Sequence, residues 1–338
     1  MMRRLNNGVR PALRAVAEKW RARQAQRELD PLLRHCGRGY RITRSLGGQA
    51  RSTWLVDNDG ERFVLRAAGG MYEILALQHL AAQPVPYRFP QLIPTMAGAT
   101  HVLSPSERQW TLYPLVTGEP PPTRKSLELV GEIGRLAATV NALLVDLDLP
   151  AHEGDFRLKL FETRGLPARA AASGGPLRTR CRAGLPAALA WHAARREDNL
   201  RRVAELPSQT VYDDFHDNNM LCHAGKLIGL IDFDSLAHGP RAVDLASALL
   251  YLLTEPAHRQ ADHVRALRDG FQSVVPLTDA EYRLVPQLII DRLLVMVERL
   301  LGERQMPPHR AQLAGRFLDL LGWVIAEESL ADRLALPD

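Results

Sequence analysis

The stretch Val211–Leu221, VYDDFHDNNML, followed by KLIGLIDFD at Lys226–Asp234, decides how this chain is read. The first segment gathers three carboxylates, an imidazole and two amides between apolar ends. The second carries Leu227, Ile228, Leu230 and Ile231 as a short apolar run that reads as a buried strand, so both acidic clusters fall at strand edges or in loops. Two short strands of a hairpin would bring Asp214, Asn219 and Asp232 together. Oxygen donors converging beside apolar walls suit a hard divalent cation such as Mg2+, which takes one or two carboxylates and completes its shell with water and phosphate oxygens. One carboxylate would then remain free as a base. The alternative is that Asp and Asn merely cap turns, where both are favoured.

Around this stretch the chain changes character. Upstream, from about residue 40, GYRITRSL, RSTWLVDND and ERFVLRAA are three strand candidates, and NDG between the second and third is a hairpin signal. GGMYEILALQHLAAQ then spaces Met71, Ile74, Leu75, Leu77 and Leu80 as a helix would, and strands around HVLSP and WTLYPLV complete a sheet that stops near the prolines of TGEPPPT. Beyond them the pattern is mainly helical: RKSLELVGEIGRLAATVNALLVDL, then 244–253, 262–274, 278–301 and a last helix with Phe317, Leu320, Leu321 and Val324 on its apolar side. The Ala/Arg-rich region 168–190 reads as mobile or loosely helical.

The first 38 residues are strongly basic, and Val9, Leu13, Val16 and Trp20 recur at helical steps. Such a helix either docks an acidic partner, a membrane surface or a peptide, or packs on the domain with a solvated arginine face. Over the whole chain 43 Lys and Arg stand against 38 Asp and Glu, too small an excess to specify a nucleic-acid partner. Three widely spaced cysteines, Cys36, Cys181 and Cys222, show no zinc spacing and read as reduced thiols. No apolar run approaches the roughly 18 residues of a membrane span, and the N-terminus lacks the apolar core of a signal peptide. The expectation is a soluble cytoplasmic protein.

From Tyr40 onward the chain resembles the aminoglycoside phosphotransferase and choline kinase group, relatives of the protein kinases. That family's catalytic segment, H-G-D-x-H-x-x-N followed by a strand ending in I-D-F/W-x, is matched by Tyr212 to Asn219 and then LIGLIDFDSLAHGPRAVDLA, in which Asp232, Gly239, Pro240 and Asp244 fall as expected. The resemblance implies an α+β, bilobal protein-kinase-like fold: a basic helical extension at 1–38, a small antiparallel-sheet nucleotide lobe at 39–116, and a larger helical lobe at 117–338 holding the catalytic loop and acceptor site. It implies an ATP-dependent (or other nucleoside-triphosphate-dependent), Mg2+-dependent transfer of the γ-phosphoryl group to a small-molecule hydroxyl. Asp214 would be the base, His216 would brace the loop, and Asn219 and Asp232 would hold Mg2+. Gly47 and Gly48 would approach the phosphates, Arg66 would bind them while paired with Glu73, and the backbone from Tyr113 to Leu115 would meet adenine. Asp234 would assist electrostatically and Asp244 would anchor the loop.

Tyr212 replaces the family's first His and Asp213 its Gly, while Asn141 stands where relatives commonly show His. The added carboxylate of Asp213 is expected to raise the pKa of Asp214 or to recruit a cationic acceptor. A small-molecule kinase could line its acceptor cleft with Asp291, Glu298, Asp319, Trp191, Tyr282 and Trp323, although a helical surface or core position is the commoner place for any one of them. Two other readings stand beside the small-molecule kinase: a Ser/Thr kinase of a peptide in modified-peptide biosynthesis, docked through the basic helix, and a non-catalytic nucleotide-binding pseudokinase.

Overall fold

In the computed structural model the described residues are 21–47, 53–147, 165–303, 306–326, 330 and 334. The chain divides into two compact units. One comprises the chain up to Thr117 together with Leu230–Asp234, and the other Gly118–Gly229 with Ser235–Asp338. Among the described residues no helix is long and apolar enough to cross a membrane. Cys36, Cys181 and Cys222 are free.

The first unit is built on a five-stranded antiparallel sheet of β1 (Arg41–Gly47), β2 (Thr53–Asn58), β3 (Glu61–Ala67), β4 (Val102–Leu103) and β5 (Gln109–Pro114), in the order β1-β2-β3-β5-β4. β2 and β3 pair out to Asn58 and Glu61, so Asp59 and Gly60 form a two-residue turn. Both have positive φ, 52° and 86°, the conformation whose twist matches a hairpin and which Asp-Gly adopts readily. Helix α1 (21–36) lays Ala22, Ala25, Leu29, Leu32 and Leu33, at helical steps, against Val56, Phe63, Leu65 and Leu112 of the sheet. Gln26 fastens it, accepting the Ile42 amide at 2.6 Å. The described part of the basic extension therefore spends its apolar face inside its own unit, whereas Val9, Leu13, Val16 and Trp20 lie outside the described residues. Helix α2 (Met71–Ala81) follows β3 and buries Ile74, Leu77 and Leu80.

The second unit is mainly helical. Helix α3 (Leu127–Leu143) is capped by Ser126, whose hydroxyl accepts the Leu129 amide at 3.2 Å. It is followed by α4 (Leu166–Ala172), α5 (Gly175–Glu205), α6 (Ala242–Leu253), α7 (Ala261–Gln272), α8 (Asp279–Leu301) and α9 (Pro308–Ala326). Helices α3 and α7 touch backbone to backbone. A Cβ on Gly134 would lie 2.2 Å from the Leu267 carbonyl oxygen and one on Gly270 2.1 Å from that of Gly131, so glycine alone fits at these crossings. Helix α8 opens with a capping box between Thr278 and Glu281 and buries most of its residues. The region 168–190, read as mobile or loosely helical, is helical on either side of Ser173 and Gly174. Cys181, Leu185 and Ala188 of α5 are buried along one side, which supplies the packing that an Ala/Arg composition conceals.

Two short antiparallel ribbons interrupt the helices. β6 (Ser208–Val211) pairs with β9 (Ala237–Pro240), and β7 (Met220–His223) with β8 (Lys226–Leu230). Val211 is therefore the last paired residue before the acidic loop.

Candidate active site

In the first unit the chemistry centres on Arg66 of β3, whose guanidinium faces three carboxylates. Nη1 lies 3.3 Å from Glu73 Oε1, and Nη2 lies 2.5 Å from Asp232 Oδ1 and 2.8 Å from Asp234 Oδ2. Burial works to lower the affinity of Arg66 for its proton, and the carboxylates around it more than offset this, so it stays charged. Glu73 is buried on α2, where Oε2 also accepts the Gly69 amide at 2.7 Å; burial pushes its pKa up against the pull of Arg66. Asp232 and Asp234 differ in that their side chains are 38% and 42% exposed.

Phe233 anchors the segment that carries this acidic pair. Its ring meets Phe89 edge to face at 5.9 Å, and the Leu230 amide donates to the Arg88 carbonyl. Asp232 itself has φ 68°, which turns the chain sharply. A Cβ on Gly69 would come within 2.6 Å of Asp234 Cβ, so the close approach of the two segments requires that glycine. Gly47 ends β1 with φ 92°, and Gly48 lies outside the described residues. Tyr113 is buried in register with Val64. The Leu115 amide donates to the Arg62 carbonyl at 2.8 Å, so what Leu115 can offer a base is its own carbonyl.

In the second unit the loop after β6 hangs on one face of α6, from residues spaced three and four apart. Asp244 Oδ1 accepts the Tyr212 and Asp213 amides at 3.0 and 2.9 Å, Ser247 Oγ accepts the Phe215 amide at 3.2 Å, and the Tyr251 hydroxyl donates to Asp214 Oδ1 at 2.9 Å. Asn141 completes this frame from α3, its amide donating to Asp244 Oδ2 at 2.7 Å and to the Arg241 carbonyl at 3.1 Å. Asp244 is fully buried, and burial pushes its carboxyl up to about 7 although these donors favour the charged form.

Asp214 is thus held on both oxygens. Oδ2 accepts Asn219 Nδ2 at 3.0 Å, and the same amide donates to the Asp214 carbonyl at 3.0 Å. Spending its nitrogen in this way leaves Asn219 its Oδ1 as a donor for a cation. His216 caps the short 3-10 turn Asp217–Asn219: Nδ1 accepts the Asn218 amide at 3.1 Å, and Nε2 lies 3.5 Å from Asp214 Oδ2. Lys125 grips the same turn through Asp217 at 2.9 Å, while its backbone amide donates to His258 Nε2 at 3.0 Å.

Asp213 corrects the reading of its sequence. It is buried, with Oδ2 2.5 Å from Arg292 Nη1 of α8, and its carbonyl accepts Arg292 Nη2 at 2.8 Å. Its charge is consumed by Arg292 instead of being presented to an acceptor. The cleft candidates take the core and helical-surface places that are the commoner expectation for each. Asp291 is buried and accepts His192 at 3.1 Å and Gln287 at 2.6 Å. Tyr282 is buried with its hydroxyl on Gln272, and Glu298 is mostly buried, its carbonyl accepting Arg169. Asp319 pairs with Arg180 at 2.6 Å, and Trp191 and Trp323 lie beneath Arg195 and Arg259. Arg292, Tyr251 and Lys125 escape sequence reading because 79, 37 and 92 residues separate them from their partners; the scarcity of lysine, at four in the chain, was the one usable signal for Lys125.

The model of the phosphotransferase enzyme family matches residues 41–281. The chain has the fold of an aminoglycoside phosphotransferase from Alicyclobacillus acidocaldarius subsp. acidocaldarius DSM 446, at 16% identity and TM-score 0.65 over 90% of this chain and 96% of that one. A microcompartment-associated aminopropanol kinase matches at 18% identity and TM-score 0.61, over 87% and 94% of the two chains. An amicoumacin kinase, hAmiN, in complex with AMP-PNP, Ca2+ and Ami matches at 13% identity and TM-score 0.59, over 86% and 88%. Among curated proteins none matches the chain.

Proposed function

The chain belongs to the phosphotransferase enzyme family, and from that premise we propose that it transfers the γ-phosphoryl group of ATP, or of another nucleoside triphosphate, to a hydroxyl of a small-molecule acceptor. The observation that carries this reading is the double anchoring of Asp214. Tyr251 holds one carboxylate oxygen and Asn219 the other, which fixes the plane of the group while leaving lone pairs for an incoming hydroxyl. Asp214 accepts the hydroxyl proton, the acceptor oxygen forms its bond to the γ-phosphorus, and the bond from that phosphorus to the bridging β,γ-oxygen breaks, so that ADP leaves with the displaced electron pair. His216 braces the loop that presents Asp214.

Arg66, kept charged by Glu73, is the guanidinium for the α- and β-phosphates, with Gly47 and Gly48 at the turn over them and Tyr113–Leu115 at the adenine. Asn219 and Asp232 are the residues for Mg2+. An amide oxygen and a half-exposed carboxylate are the hard donors that ion prefers. When bound there, Mg2+ supplies charge neutralisation on the triphosphate. AMP-PNP and Ca2+ on the amicoumacin kinase support a nucleotide with a divalent ion, and aminopropanol as another relative's substrate supports a small acceptor.

Incubation with Mg·ATP and a panel of amino-alcohol and aminoglycoside acceptors, read by mass spectrometry for a phosphorylated product, tests the reading. Asp214→Asn is expected to slow transfer by about 10^2–10^4-fold with ATP affinity unchanged by calorimetry. Undiminished transfer by that variant would remove Asp214 from the role.

A further inference from the structure

Asp213 has φ 60°, in the left-handed region that glycine enters freely and that costs a residue with a side chain. Aspartate tolerates it better than most residues when its short polar side chain finds a partner. Here the partner is Arg292, which takes both handles of the strained residue: the carboxylate through Nη1 at 2.5 Å and the carbonyl through Nη2 at 2.8 Å. The next residue is Asp214, and Arg292 Nη2 stands 3.9 Å from its Oδ1 without closing on it.

Asp214 Oδ1 already takes the Tyr251 hydroxyl at 2.9 Å. One guanidinium thus stands beside two adjacent carboxylates and is committed to the buried one. This cancels one negative charge and leaves the other on the half-buried neighbour. Burial by itself would lower the affinity of Arg292 for its proton; the charge of Asp213 first, then Tyr251 and Asp214, reverse that effect, so the clamp stays ionised.

We propose that Arg292 is a positioning residue for phosphoryl transfer: by clamping Asp213 through side chain and carbonyl it fixes the left-handed turn that aims Asp214, and by spending its charge on Asp213 it leaves Asp214 free to act as base. The inference rests on the assignment of Asp214 as the base. Asp213 and Arg292 act as a unit, so removing either alone is worse than removing both. Without Arg292, Asp213 loses the guanidinium that balances its buried charge beside the base, and the turn loses its clamp. Without Asp213, the guanidinium turns to Asp214 Oδ1 and neutralises it. With both changed, the glycine introduced by Asp213→Gly takes up the left-handed φ at no cost and no stray charge remains.

The test compares Arg292→Met, Asp213→Gly and the double variant with the parent protein. ADP release from Mg·ATP is measured with water as acceptor, and kcat is normalised to the folded fraction by circular dichroism. Each single variant is expected to lose about 30-fold in kcat with the KM for ATP within about twofold of the parent, and the double variant to recover to within about threefold, the non-additive pattern of coupled residues. Should Arg292→Met fold poorly, Arg292→Lys keeps the charge and loses the fork, and is expected to show an intermediate kcat at near-parental melting temperature. A double variant as slow as either single, or singles whose kcat per folded molecule is unchanged, overturns the inference. Asp214→Asn separates the two readings: if that variant stays active the base assignment fails, whereas an inactive Asp214→Asn beside fully active single variants defeats the clamp alone.

Discussion

The carboxylates around Arg66 and those around Arg292 meet opposite fates. In the first unit one guanidinium faces three carboxylates, two of them with side chains about two-fifths exposed. In the second, one guanidinium is committed to one carboxylate whose side chain is only 2% exposed. The first arrangement keeps an excess of negative charge where a cation can still reach it; the second cancels the charge and converts it into geometry. A chain that concentrates acids thus does so for two reasons, and the balance of nearby cations together with exposure tells them apart.

Breaking the first set has the larger consequence. Arg66→Met leaves Glu73 buried without its partner, and stability is expected to fall by about 2 kcal/mol, less than for a wholly buried pair because Asp232 and Asp234 are screened by water. ATP affinity should fall with it, by roughly 100-fold if the guanidinium serves the phosphates. Titration calorimetry and a thermal melt read both quantities, and a variant unchanged in each would erase the contrast with Arg292.

Tyr251→Phe sharpens the second half of the comparison. It removes one donor from the Asp214 carboxylate and leaves the ring that meets His216 edge-on at 5.4 Å. A hydrogen bond to a charged group of about 1.5 kcal/mol corresponds to roughly tenfold in kcat, with the melting temperature little changed. Steady-state kinetics that show a raised KM for ATP and an unaltered kcat would place Tyr251 outside the positioning frame.

The smallest effect concerns the support beneath the 3-10 turn. Burial first, and the charge of Lys125 second, lower the pKa of His258 below its usual 6.5, with the Leu252 carbonyl, His263 and Glu255 as its other near neighbours. Its Nε2 accepts the Lys125 amide, so the folded state needs the neutral ring. Below about pH 6.5 the unfolded chain therefore binds a proton that the folded chain refuses, and stability falls as pH falls. Melting temperatures taken between pH 7.5 and 5.5 should drop more steeply for the parent protein than for His258→Gln, and parallel curves would remove this histidine from the support.

How much of this was legible beforehand follows from the range of the interactions. The strands 41–47, 53–58 and 61–67 and the Asp59-Gly60 turn were readable because period-two patterning and turn chemistry act between neighbours. Helices α6, α7 and α8 were readable for the same reason at period 3.6. Region 168–190 was readable as loosely helical but not as a packed helix, since the few apolar residues of α5 become a face only once other helices supply something to pack against.

The sequence by itself determined the kind of chemistry: the spacing of Asp214, His216, Asn219 and Asp232 carried the family resemblance that the match over 41–281 bears out. Tertiary structure alone decided what each charge is for. It gave Leu230–Asp234 to the first unit, where Arg66 meets Asp232 across 166 residues, and it closed Arg292 on Asp213 while holding it 3.9 Å from Asp214. Pattern in a sequence reports which face of an element is buried, whereas the partner of a buried charge is chosen by the low dielectric of the packed interior among groups that only folding brings within a few ångströms.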